Sequence, residues 1–140
     1  MNALAHVLVT LLFVKLASLS GIDVFWAFLF GVAIDFDHLI KIPLYIKQNG
    51  FKLVRYWNWR TSFQEPVSYL WIIPFSIYFQ TWVPVFFFTT HIALDYLMSY
   101  EKQPFYPFLE YTIPKAKLKI DDYLGALTVV ITGCMLFFLM

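Results

Sequence analysis

The chain has 140 residues, of which 61% are hydrophobic, 21% aromatic and only 14% charged. A soluble domain is about 45–50% apolar and about 25% charged, so composition argues against a water-soluble core and for one integral membrane domain over residues 1–140. The net charge of +1 gives no reason for a nucleic-acid partner, and the lone Cys134 excludes an intrachain disulfide and a cysteine-based metal site.

Ala3 to Leu19 is apolar apart from His6, Thr10, Lys15 and Ser18, which is about the minimum length for a spanning helix. No basic residue precedes it and Lys15 interrupts it, so an uncleaved first membrane helix is expected rather than a signal peptide. Ser20-Gly21 breaks this helix. Asp23 caps a second helix, running from Val24 to Ile34 and toward Ile40, and Pro43 ends it.

The next stretch carries Lys47, Lys52 and Arg55 among Tyr45, Phe51, Tyr56, Trp57 and Trp59, with a turn at Asn49-Gly50. Interleaved basic and aromatic residues suit single-stranded nucleic acid or a membrane interface. Beside apolar helices the interface is favoured, so membrane lipid and not nucleic acid is the expected partner.

Pro66 suits the first turn of a third helix reaching Phe79. Gln80 to Pro84 reads as a tight turn, with Thr81 as a cap, before a fourth helix to Tyr100. A single kinked helix from Pro66 to Tyr100 is the rival, because membrane helices tolerate proline. Pro74 and Pro84 flank the polar pair Gln80-Thr81, which favours a short hairpin. Pro104, Pro107 and Pro114 forbid a long helix between Glu101 and Asp122, and the Lys115, Lys117, Lys119 alternation predicts an extended surface segment. Asp121-Asp122 starts the last helix, Tyr123 to Met140. The expected fold is all-α: an integral membrane bundle of about five hydrophobic helices, with helices 3 and 4 as the hairpin.

Nine of the basic residues fall in two loops, Lys41–Arg60 and Lys102–Lys119. The positive-inside rule makes both cytoplasmic, with a cytoplasmic N-terminus in a multi-pass inner-membrane protein. His6, Asp35, Asp37, His38, Glu65, His91 and Asp95 then fall at a similar depth on one side. His91 and Asp95 are four apart and share a helix face. Carboxylates near helix C-termini are unfavourable, so a positive partner is required. Histidine with carboxylate suits Zn²⁺, with Mg²⁺ or Mn²⁺ as the alternatives for a carboxylate-rich set. On a continuous helix Asp35 and His38 share a face and Asp37 does not, so either the helix unwinds there or Asp37 serves a second ion or a neighbouring histidine.

Each residue also has an ordinary structural explanation. His6 can sit at an interface, and Asp35 and Asp37 can pair with Lys41 or Arg60. His91 and Asp95 can bond each other, and Glu65 can cap helix 3. Their common depth favours one site, because intramembrane charge is costly.

His6, the run Ile34-Asp35-Phe36-Asp37-His38, the block His91-Ile-Ala-Leu-Asp95-Tyr-Leu-Met-Ser-Tyr100 and Pro104-Phe-Tyr-Pro107-Phe108 together resemble the YdjM-type family of inner-membrane, metal-dependent hydrolase-like proteins. The order and spacing cover most of the chain. The family's proline before its first aspartate is Ile34 here. Its His-Arg-Gly-x-Thr-His-Ser stretch corresponds to Arg60-Thr-Ser-Phe-Gln-Glu65-Pro66, with Arg60 at the first histidine and Glu65 at the second. The resemblance implies a metal site.

The function expected is a membrane-embedded, metal-dependent hydrolase near the cytoplasmic leaflet, acting on a lipid-linked or phosphoester substrate. The metal ligands come from His6, Asp35, Asp37, His38, Glu65, His91 and Asp95, with Asp37 or Glu65 as general base. The alternative is a non-enzymatic membrane scaffold or metal-binding protein using the same residues. The chain carries no His-Glu-x-x-His, no Gly-x-Ser-x-Gly and no phosphate-binding glycine loop.

Overall fold

The structure, a computed structural model, describes residues 3–52, 61–97, 102–109, 111, 113 and 121–139. Arg55, Arg60 and the Lys115, Lys117, Lys119 alternation lie outside the described residues. Within them the chain is all-α: six α-helices and no strand.

Helix α1 (Ala3–Leu16) stops three residues short of the expected Leu19, in a turn where Ser18 takes φ 51°. Gly21, at φ 56°, enters α2 (Ile22–Gly31), a conformation glycine adopts without steric cost. Asp23 lies in the first turn of α2, where its charge complements the helix dipole. Its Oδ1 accepts from Thr81 Oγ1 at 3.0 Å.

The second helix does not continue to Ile34 or Ile40. It gives way after Gly31 to a 3-10 segment, Ala33–Asp37, and the backbone then enters α3 (His38–Asn49). Pro43 does not end a helix, as the sequence suggests, but lies inside α3. It removes one backbone donor there, and the helix closes instead at Gly50, φ 62°, whose N–H bonds the Ile46 carbonyl at 2.8 Å.

Two 3-10 turns, Ser62–Gln64 and Pro66–Ser68, lead into α4 (Tyr69–Tyr78). Gln80, at φ 51°, turns the chain into α5 (Val83–Tyr96), so these two helices are separate and form the hairpin. Helix α6 spans Asp121–Leu139. Among the described residues no helix is long and apolar enough to cross a membrane. At 1.5 Å per residue α1 covers only about 21 Å.

Helix α6 packs on α1, α1 on α2, α2 on α5 and α5 on α4. The apolar core lies between the middle helices and comprises Ala27, Phe30, Ile72, Val83, Phe87, Phe88 and Ile92. Gly31 sits where α1 and α5 both approach α2. A Cβ there would stand 2.5 Å from Thr10 Oγ1 and 3.3 Å from Phe87. The missing side chain therefore sets the spacing of three helices at the end of α2 that carries the polar residues.

Candidate metal centre

The break after Gly31 builds the site. Carbonyls in the last turn of a helix run out of helical N–H partners. The Gly31 carbonyl is one of them, and it accepts from His91 Nδ1 at 3.0 Å. That bond places the proton of a neutral His91 on Nδ1 and leaves a lone pair on Nε2. Nε2 is buried, has no hydrogen-bond partner, and faces Asp35 Oδ1 at 3.4 Å and Asp95 Oδ2 at 3.7 Å. A lone pair facing two carboxylates is repulsive unless a proton or a cation lies between them.

His6, from α1, stacks on His91 with ring centroids 4.1 Å apart and an interplanar angle of 19°. Its Nε2 lies 3.2 Å from Asp95 Oδ1, and its buried Nδ1 has no hydrogen-bond partner. Each buried, unmade bond costs about 1–3 kcal/mol. Two stacked imidazoles, each with an unsatisfied nitrogen, form an expensive arrangement for a core that is merely structural.

His6, Asp35 and His91 each offer a ligand atom within 4.8 Å of the others, the one such group among the described residues. Two donors about 2.0–2.1 Å from a tetrahedral zinc stand about 3.3 Å apart, close to the 3.4 Å between His91 Nε2 and Asp35 Oδ1. Two imidazoles with a carboxylate fit zinc or a similar divalent transition ion better than Mg²⁺ or Ca²⁺. Asp95 stands near Nε2 of both histidines, at 3.2 Å from His6 and 3.7 Å from His91, so it can join them at an ion or hold the His6 ring. Asp35 is the open edge: its side chain is 25% exposed, whereas those of both histidines are 0% exposed.

The remaining expected ligands are placed differently. Because the backbone is 3-10 over Ala33–Asp37, Asp37 becomes the residue preceding α3, a favourable N-terminal position rather than an unfavourable C-terminal one. Its Oδ1 accepts from His38 Nδ1 at 2.7 Å, and its Oδ2 accepts from the Thr61 hydroxyl. Gln64, fully buried, donates from Nε2 to Asp35 Oδ1 at 2.8 Å and to Asp37 Oδ1 at 2.9 Å. Asp37 and His38 thus stand beside the trio, tied to it through Gln64, and not within it.

Glu65, expected as a ligand or base, is buried but outside the trio. It accepts from Tyr96 OH at 2.6 Å and from the Gln103 N–H at 3.3 Å, and its side chain does not cap the helix that follows. The reason is backbone geometry. Glu65 is extended at φ −115°, ψ 158° directly after the 3-10 turn that holds Gln64, and the change of backbone at that step sends the two side chains to different partners. Gln64 therefore takes the side facing Asp35 and Asp37. Nothing in the pair Gln64-Glu65 marks the amide over the acid; only the turn decides it. Lys41, on α3, feels both Asp37 and Glu65, yet burial outweighs their attraction and lowers its ammonium pKa. Lys102 is also buried, with its ammonium 5.5 Å from the centre of the Tyr96 ring.

The sequence matches no protein-family model, and neither curated proteins nor solved structures gave a match.

Proposed function

We propose that the chain is a membrane-embedded, metal-dependent hydrolase. His6, Asp35 and His91 hold one divalent ion, zinc in preference to Mn²⁺ or Mg²⁺, while Asp95 orients His6 and the Gly31 carbonyl orients His91. The observation that carries this reading is the buried His91 Nε2, with no hydrogen-bond partner, facing two carboxylates. A divalent ion supplies a Lewis acid that polarises an ester or phosphoryl oxygen and acidifies a bound water. The protein's own part is to exclude solvent from the histidine side and leave the Asp35 edge open to substrate.

The membrane setting is supported by the surface. Leu39, Ile40, Leu44 and Ile46 of α3 are exposed beside Lys47, as are Leu70 and Ile77 of α4 and Phe137 and Phe138 of α6. Such apolar surface is far beyond scattered single residues. In this reading α1, α2, α4, α5 and α6 form the multi-pass bundle, with short helices accommodated by local thinning of the bilayer. Helix α3 lies along the inner-membrane interface on the cytoplasmic side. A site opening beside an interfacial helix suits a lipid-linked phosphoester.

Metal analysis of purified protein tests the site. Wild type is expected to hold about one equivalent of a divalent transition ion and His91→Ala none. Metal-free wild type overturns the proposal. Full metal content in both His91→Ala and Asp95→Ala makes the cluster a polar network within a scaffold. The membrane setting fails separately if an alkaline wash strips the protein from membranes.

A further inference from the structure

We infer that His38 is the proton acceptor of the hydrolytic step, with Asp37 as its positioning residue, and that neither is a metal ligand; this rests on the hydrolase reading above. The warrant is an accounting of protons. An aspartate only accepts, so the 2.7 Å contact puts the proton of a neutral His38 on Nδ1 and leaves the lone pair on Nε2. Asp37 is itself held at both oxygens, by Thr61 at Oδ2 and Gln64 at Oδ1. Gln64 spends one amide hydrogen on Asp37 and the other on Asp35. Its 3.2 Å contact with His38 Nδ1 therefore carries no hydrogen bond, since both atoms are donors. One amide nitrogen thus touches the candidate ligand Asp35 and both members of the Asp37–His38 pair.

Exposure separates the roles. The His38 side chain is 36% exposed while Asp37 is 7% exposed, so the base is reachable and its orienting carboxylate is not. A base held by a buried carboxylate, which is in turn fixed by other groups, is the general arrangement of an activated proton acceptor. In the step proposed, a water oxygen bonds to phosphorus as the bond from phosphorus to the alcohol oxygen breaks. The water's proton passes to His38 Nε2 and from there to the leaving alkoxide, so the products are the alcohol and the hydrolysed phosphate.

The test combines three readouts on the full-length protein in detergent. Diethyl pyrocarbonate acylates an imidazole nitrogen that has an accessible lone pair. Of the three histidines, His38 should be acylated in the folded protein and His6 and His91 spared. Asp37→Asn should slow the reaction at least about threefold by releasing the tautomer. His38→Gln should keep its metal, and with bis(p-nitrophenyl) phosphate as probe it should lose at least about 100-fold in turnover. Loss of metal in His38→Gln would make His38 a ligand and overturn the inference. Retained turnover in that variant, or an unreactive His38 in wild type, would overturn it as well. No turnover by metal-loaded wild type would overturn the hydrolase reading itself, and the proton-acceptor role with it.

Discussion

His91 and His38 each stand within reach of aspartates, and they differ in what the second ring nitrogen meets. In His91, Nδ1 is used by the Gly31 carbonyl, and the buried Nε2 faces Asp35 and Asp95 without a hydrogen bond. In His38, Nδ1 is used by Asp37, and the side chain is 36% exposed. The residue types are the same; the depth and the unmade bond are not. A buried nitrogen that no proton donor satisfies is suited to a cation, whereas the free nitrogen of a partly exposed ring held by a fixed carboxylate is suited to a proton. Proximity to aspartate alone does not separate a ligand from a base.

The largest expected effect breaks the buried half. His91→Ala removes one proposed ligand and the ring that stacks on His6. We expect metal affinity to fall by more than about 100-fold, beyond the 10–100-fold typical of residues that only support a ligand. Titration with Zn²⁺ followed by thermal unfolding checks this. An ion bound at 100 times its Kd stabilises wild type by about 2.7 kcal/mol, and this rise should vanish in the variant.

Gln64 joins the halves, and Gln64→Leu is the next effect in size. Asp35 and Asp37 each lose a donor, so metal affinity should fall by about 10–100-fold while the fold persists. Gln64→Glu should in addition destabilise the metal-free protein, because it sets a third carboxylate against two others. If either variant binds metal like wild type, the two clusters are independent.

This is also where the sequence stops being legible. The helices could be read because hydrophobic runs and proline or glycine punctuation are local signals, and the hairpin followed from Gln80-Thr81 between prolines. The pairing of His91 with Asp95 followed from their spacing on one helix. What could not be read was the backbone at two breaks. The 3-10 segment after Gly31 moves Asp37 from the end of one helix to the start of the next, and the turn before Glu65 exchanges it with Gln64. Side-chain direction at such breaks depends on dihedrals that residue types do not dictate. Gly31 lay in an apolar run with no mark of its role, which is set by Thr10 on another helix.

That role gives a third prediction. Gly31→Ala places a methyl group 2.5 Å from Thr10 Oγ1, and overpacking of this kind costs about 1–3 kcal/mol. It should also loosen the carbonyl that orients His91 and weaken metal binding. Thr10→Ala removes the obstructing hydroxyl and methyl groups, so the double variant should recover most of the lost stability. Unfolding midpoints of the four proteins close the cycle; additive losses would mean that the two sites do not touch energetically.

The smallest effect belongs to the opposite end of the bundle and sets the baseline for the rest. Thr81 and Asp23 join the α4–α5 turn to the start of α2 through one bond of 3.0 Å. Thr81 Oγ1 also accepts from the Val83 N–H, at 3.4 Å, a long and weak contact. Thr81→Val keeps the shape and removes both. Because Asp23 is only partly buried, water can replace the lost donor, and the cost should stay within about 0.5–1.5 kcal/mol. Metal affinity should not change, since the core residues Ala27 and Phe30 of α2 and Phe87 and Phe88 of α5 lie between this bond and the proposed ligands. Thermal unfolding and metal titration of this one variant decide the point. A loss of metal affinity here would mean that α2 and α5 slide together as rigid rods, and the spacing fixed by Gly31 would then be a property of the whole helix pair rather than of one contact.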